Sequence, residues 1–200
     1  MGQMRYYFTS VTLAAICLAA CTNPFTTRDV EDPKINQNSD TFDQPISSDI
    51  VLDNFRYALV QKNISNYMNC LADPAQEYDY LFHFVPDPSI EMEKFYGWSL
   101  TDERTYLNTV FNQSGAISLD YLDPISFTNL SQSPDSVQTN SFKYELRISF
   151  ENEEMLYSGM TRMKLAKNAN AMWAIYYWED TKNSNSDERS WSNLKANYKN

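Results

Sequence analysis

The chain is short of glycine, histidine and positive charge. Its four glycines, Gly2, Gly97, Gly115 and Gly159, are too scattered for a dinucleotide fingerprint or a P-loop, which need close glycines to bring backbone N–H groups up to phosphates. The single histidine, His83, excludes two-histidine zinc motifs and leaves one candidate base for any Ser-His-Asp or Cys-His arrangement. Only 16 Lys and Arg stand against 26 Asp and Glu, for a formal net charge of −10. That is the wrong sign for holding a phosphate backbone through counterion release, so no nucleic-acid partner is expected. Neither a cofactor motif nor a set of metal ligands is found. The acidic run Glu151, Glu153, Glu154 lacks the spaced oxygen ligands and turn glycine of a calcium loop and reads as a solvated hairpin tip.

Aromatic side chains are what the chain has in abundance, with 14 Tyr, 11 Phe and 4 Trp in 200 residues. They argue for a packed core, and the length suits one domain with a tail.

Residues 1–20 read as a secretory signal. Arg5 is the only charge, an apolar stretch runs from Val11 to Leu18, and small residues follow. The run is too short and too interrupted to span a bilayer. Leu18-Ala19-Ala20-Cys21 resembles the lipobox of bacterial lipoproteins. That resemblance implies cleavage before Cys21, diacylation of its thiol, and a lipid anchor as the link to the membrane; an ordinary signal with an incidental cysteine is the alternative. Thr22, where an aspartate is absent, resembles lipoproteins sent to the outer membrane in cells that have one. Cys17 then leaves with the signal, Cys21 carries lipid, and Cys70 remains as a free thiol among Tyr67, Met68 and Leu71, expected to be buried and inert. The mature chain is one unit more negative, so the lipid, not electrostatics, would hold it at a membrane.

Residues 22–47 show no apolar period and read as a flexible tether. A helix is expected over about 49–62 from Val51, Leu52, Phe55, Ala58 and Leu59, with a short second helix around Ile64, Tyr67, Met68 and Leu71 closed by Asp73-Pro74. Tyr80 to Val85 reads as a strand, and Ser99 or Thr101 caps a helix ending before Gly115. A strand region from Ile117 to Leu130 is interrupted by Asp123-Pro124. From Phe142 to Phe150 the even positions are apolar and the odd ones are Lys143, Glu145, Arg147 and Ser149, the alternation of a half-buried antiparallel strand. With Glu151–Glu154 as the hairpin loop, Ile148 would face Tyr157 and Gly159 would fall opposite Leu146. A second turn at Asn168–Asn170 would set Leu165 against Trp173, Met163 against Ile175 and Thr161 against Tyr177.

Phe82-His83-Phe84-Val85-Pro86-Asp87-Pro88, the capped helix after Trp98, the strand with Gly159, and the final strand Trp173-Ala174-Ile175-Tyr176-Tyr177-Trp178-Glu179-Asp180 occur in an order that resembles the nuclear transport factor 2-like, or SnoaL-like, fold. Small bacterial lipoproteins of that kind also end in a Trp-rich strand and a Ser-Trp-x-x-Leu-Lys segment, here Ser190 to Lys195. The resemblance covers about residues 48–200 and implies an α+β cone, with helices on a strongly curved antiparallel sheet and any site in the mouth of the cone. Its members include isomerases, dehydratases, cyclases and non-catalytic binding domains.

His83 is the candidate general base for the enzymatic alternative, an isomerase, dehydratase or cyclase with the base in the cone pocket. Asp120, Asp123 and Asp180 stand near strand ends, where solvated carboxylates and turn formers are normal. Tyr144, Tyr157 and Tyr177, expected on one inner face, are the candidates for binding a small apolar ligand. Trp98, Trp173, Trp178 and Trp191 read as core rather than as a carbohydrate platform. The favoured expectation is a lipid-anchored envelope protein whose domain binds a small apolar ligand or a protein partner.

Overall fold

The computed structural model describes residues 42–131, 133–151, 153–183 and 189–199. The signal, Cys21 and the tether up to residue 41 lie outside them. The described residues form one compact unit.

Helix α1 (Ser48–Val60) is capped by Ser47, whose hydroxyl accepts from Ile50 N, and buries Val51, Leu52, Phe55, Ala58 and Leu59. It ends two residues earlier than its pattern suggests, because Lys62 takes a left-handed φ of 53°. From there the Lys62 ammonium reaches the carbonyls of Phe111 and Ser114, 3.4 and 2.9 Å away, and satisfies the end of a later helix. Asp43, placed in the tether by composition, is instead fastened to the domain: Asp43 N donates to Asn54 Oδ1 and Asn54 Nδ2 donates to the Asp43 carbonyl, at 3.1 and 2.7 Å. The Pro45 carbonyl accepts from Trp173 N at 2.8 Å.

Helix α2 (Ile64–Asn69) follows, capped by Asn63. Strand β1 keeps only His83–Val85 of the six residues expected. Helix α3 (Leu100–Gln113) opens with a reciprocal capping box between Ser99 and Asp102. The sheet continues with β2 (Ile117–Tyr121), β3 (Phe127–Leu130), β4 (Ser133–Thr139), β5 (Phe142–Ser149), β6 (Glu154–Lys167) and β7 (Trp173–Lys182), and α4 (Trp191–Asn197) closes the chain.

The long strand β6 organises the sheet. One of its edges pairs with β7, while the other pairs with β5 along Glu154–Thr161 and with β4 along Lys164–Ala166. The sheet therefore forks where β5 and β4 part. The break at Asp123-Pro124 serves the fork, because β2 pairs with β5 and β3 with β4. Strand β1 joins the far edge of β7 in parallel. Strand β4 escaped the sequence pattern: Val137 is its one apolar residue, and Ser136 and Thr139 are buried beside it.

Both expected registers are corrected. In the β5–β6 hairpin Ile148 faces Met155, Leu146 faces Tyr157 and Tyr144 faces Gly159, two residues from the expected pairing. The tip closes one residue earlier, where Phe150 N donates to the Glu153 carbonyl at 2.8 Å. A shift of two leaves every side chain on its intended face. Between β6 and β7, Leu165 faces Ile175, Met163 faces Trp178 and Thr161 faces Asp180. A bulge between Lys164 and Leu165 leaves Tyr176 as the extra residue and reverses the alternation beyond it. Trp178 and Asp180, not Tyr177, consequently turn inward.

Gly159 marks a close approach. A Cβ there would lie 2.6 Å from the Thr181 carbonyl oxygen and 2.9 Å from the Tyr144 hydroxyl, and the carbonyl belongs to the adjoining strand. Gly159→Ala is expected to cost about 1 to 3 kcal/mol by overpacking, read from urea midpoints. An unchanged midpoint would mean that β6 and β7 can separate freely at this point.

Candidate functional site

Helix α4 carries the chain into the space between α1, α3 and the inner face of the sheet. Trp191, Ser192, Leu194 and Lys195 are all at most 1% exposed. The entry is held by Asp180, whose Oδ2 accepts from Ser192 N and Ser192 Oγ at 2.7 and 2.5 Å and whose Oδ1 accepts from the Tyr144 hydroxyl at 2.6 Å. The Tyr144 oxygen in turn accepts from Trp191 N at 2.8 Å. Ser192 Oγ also accepts from Asp87 N at 2.9 Å, while an Asp87 carboxylate oxygen takes the Lys182 N–H at 2.6 Å. Two carboxylates, a tyrosine and a serine thus tie the start of α4 to β7 and to the end of β1.

The indole of Trp191 then stands edge-on to Trp178, with centroids 4.7 Å apart at 83°, and lies beside Phe55 and Tyr144. Its Nε1 donates to the Tyr106 hydroxyl at 3.3 Å.

One turn further on, Lys195 forms a fully buried ion pair with Glu103 of α3. Glu103 occupies a core position of that helix, in line with Tyr106, Leu107, Val110 and Phe111. Its carboxylate also accepts from Trp98 Nε1 at 2.8 Å and from the Tyr67 hydroxyl at 3.0 Å, and the Tyr67 and Tyr106 hydroxyls are 3.2 Å apart. The Lys195 ammonium lies 3.7 Å from the ring centre of Phe84 and 3.9 Å from that of Trp178. A buried carboxylate with three donors and a buried ammonium over aromatic faces is the arrangement low-dielectric surroundings require of charged groups.

Burial dominates the proton affinities here. It lowers Lys195 to about 8, with the Glu103 charge and hydrogen bond pulling back. It raises Tyr67 and Tyr106, reinforced by the charge on Glu103, and raises Tyr144, reinforced by Asp180. Burial raises Asp180 too, against its hydrogen bonds from Ser192 and Tyr144.

Lys195 has a folded value near 8 against its usual 10.5, so the unfolded chain binds more protons between these values. Stability should rise with pH there, by up to about 1.4 kcal/mol per unit. The tyrosines act oppositely, because the folded chain keeps protons that the unfolded one loses above about pH 10. Urea midpoints are expected to climb above pH 8 and fall beyond about pH 10. Lys195→Met should abolish the climb and keep the fall; a climb that survives this substitution would assign it elsewhere.

The residues singled out from sequence are dispersed. His83 is exposed, with its ring 6.0 Å from Tyr177, because strand alternation sends Phe84 into the core. Tyr177 is half-buried beside His83, and Lys164 Nζ lies 4.7 Å from its ring centre. Tyr144 and Tyr157 are buried, the first on Asp180 and the second bridged to Arg189 just before α4. The three tyrosines therefore do not share one face. Asp120 is exposed, and Asp123 is the turn former expected, accepting from Lys143 N at 2.9 Å. Asp180, read as a solvated strand end, is instead 1% exposed, because the bulge turned it inward. All four tryptophans are buried. Cys70 is buried as expected, its thiol raised by desolvation and donating to the Asn66 carbonyl at 3.3 Å.

A forked, curved, mostly antiparallel sheet packed against helices defines the class: the domain has the nuclear transport factor 2-like fold. A candidate scytalone dehydratase from Novosphingobium aromaticivorans superposes with a TM-score of 0.53 at 10% identity, over 71% of this chain and 87% of that one. A nuclear transport factor 2-like superfamily protein from Salmonella enterica serovar Typhimurium gives 0.50 at 12% identity, over 68% and 89%. A candidate dehydratase of that family from Streptomyces avermitilis gives 0.51 at 8% identity, over 68% and 92%. No protein-family model and no curated protein sequence matches the chain.

Proposed function

We propose that the chain is a lipid-anchored cell-envelope lipoprotein whose domain is a binding module rather than an enzyme. The observation that carries the second half is the occupation of the cone by the chain's own Trp191, Leu194 and Lys195, all at most 1% exposed. An enzyme of this architecture needs substrate in that space, next to a base. The enzymatic alternative draws on the dehydratase candidates among the structural relatives, but its base, His83, is exposed outside the cone.

The anchoring half rests on the order of signal, lipobox and tether, which is the order lipidation at Cys21 needs. Among the described residues no helix is long and apolar enough to cross a membrane, so attachment would fall to the lipid. An acidic surface would gain nothing from anionic headgroups. Thr22 after the cysteine, where an aspartate is absent, supports outer-membrane placement in a cell with two membranes.

Native mass spectrometry of the delipidated protein purified from its own envelope tests the binding reading. A co-purifying small molecule or protein, released unchanged, is the expected result. A ligand that is turned over, with turnover lost in a folded His83→Ala variant, would overturn it. For the anchor, Cys21→Ser should move the protein from the membrane to the soluble fraction, and an unmodified N-terminus on the wild type would refute lipidation.

A further inference from the structure

The partition of residues around the Lys195 ammonium is that of a receptor and its ligand. Glu103 and Tyr106 come from α3, Tyr67 from α2, Phe84 from β1, Trp178 from β7 and Trp98 from the segment before α3. Helix α4 contributes the cation and, through Trp191, an edge-on contact to Trp178 and a hydrogen bond to the Tyr106 hydroxyl. The carboxylate is already oriented by Trp98 Nε1 and the Tyr67 hydroxyl, so the anion is held in place by groups other than the residue that fills the cage. Further rings stand around the two closest, with Tyr106, Trp98 and Phe82 centred 5.3, 5.6 and 5.8 Å from Nζ. The Trp178 indole N–H, fully buried, has no hydrogen-bond partner among the described residues.

A buried ion pair can usually be replaced by apolar residues of similar volume without loss, so stability alone does not explain a carboxylate walled by so many rings. Aromatic faces around a desolvated cation with an anchored carboxylate are the means by which proteins recognise organic ammonium groups. The ties at Asp180 and Tyr144 that hold the start of α4 are separate from the cage. Releasing them would withdraw the lysine together with Trp191, leaving Glu103 held by Trp98 Nε1 and the Tyr67 hydroxyl.

We propose that the interior of the cone is a recognition site for small primary alkylammonium ions, and that Lys195 is its resident, covalently tethered occupant. This rests on the binding-module reading and names the chemistry that the cone takes once Lys195 is withdrawn. The carboxylate receives a hydrogen bond from the ammonium, which selects a primary ammonium over a quaternary one. The charge selects an amine over an alcohol of the same shape.

Lys195→Ala removes three stem carbons and the ammonium, for which n-propylammonium is the complement. The test follows the thermal midpoint and tryptophan fluorescence of this variant as n-propylammonium is added, with n-propanol as the neutral control. Saturable binding is expected, at least about tenfold tighter than n-propanol and weakened at least about tenfold by adding Glu103→Gln. The wild type should bind about a hundredfold or more weaker, because its tethered lysine competes at high effective concentration. A variant indifferent to n-propylammonium, or one that takes n-propanol equally well, would overturn the proposal. So would a wild type that binds as tightly as the variant, since the ligand would then sit elsewhere. Should Lys195→Ala not fold, Lys195→Val keeps part of the stem packed, and ethylammonium against ethanol gives the same outcomes. Turnover of an envelope ligand would refute the binding reading without touching these results, and failure here would leave that reading standing.

Discussion

Glu103→Ala is expected to destabilise the domain by about 3 to 5 kcal/mol, the cost of stranding one member of a buried ion pair. Lys195 would remain without its anion at 0% exposure, so it must either give up its proton or carry its charge unpaired in the core. The Trp98 N–H and the Tyr67 hydroxyl would lose their acceptor at the same time. Such a loss is a large part of the roughly 5 to 15 kcal/mol that holds a domain of this kind together. Removing both charges should behave differently: Glu103→Leu with Lys195→Met is expected to recover most of the deficit, because well-packed apolar residues replace buried ion pairs at little net cost. Urea denaturation of the three chains at neutral pH decides the matter. A Glu103→Ala deficit under about 1 kcal/mol, or a double variant as weak as the single one, would show that the pair is not desolvated as described.

That pair also shows how far the sequence could be read. Glu103 stands three and four residues before Tyr106 and Leu107, on the apolar face of α3. Lys195 follows Trp191 by four residues in α4, on the same face as that buried indole. A charged residue of each sign in core register on two helices was the available signal for a buried pair. It was obscured because charged residues are almost always solvated, so neither position stands out until its helix is known to be enclosed on all sides. The helices α1 to α3 and the alternation of β5 were legible because they bury one face against one neighbour, which leaves a clean period. Strand β4 has a single apolar residue and was not.

The misplaced tyrosine has a different origin. Up to Ile175 the expected inward set was right, with Trp173 and Ile175 both buried. One unpaired residue at Tyr176 then exchanged the faces, which put Tyr177 outside beside His83 and brought Trp178 and Asp180 in. Alternation in a single sequence carries no mark of a bulge, since both Tyr177 and Trp178 are large aromatics suited to either side. The consequence for function is considerable. The inner face presents a carboxylate that grips the first turn of α4 and an indole that receives its tryptophan and lysine, where the expected phenol would have lined a vacant mouth.

Trp191→Ala is expected to cost about 3 to 5 kcal/mol, the range for deleting a buried large aromatic. Trp191 is 1% exposed and is packed on Trp178, Phe55 and Tyr144, so its removal leaves a void among them. The helix has a second way to respond, because α4 follows the last strand of the sheet and can leave the cone without breaking a strand pairing. The observed loss is set by the cheaper of the two responses. If α4 stays docked, all amides should weaken together in hydrogen exchange and the full cost appears in the global midpoint. If it undocks, the amides of Trp191 and Ser192, now held by Tyr144 and Asp180, should exchange far faster than those of β6 and β7. Undocking would also withdraw Lys195 and expose Trp178, with a red shift in its fluorescence. A variant that keeps the wild-type midpoint and the wild-type protection of Trp191 and Ser192 would mean that the indole contributes nothing to closing the cone.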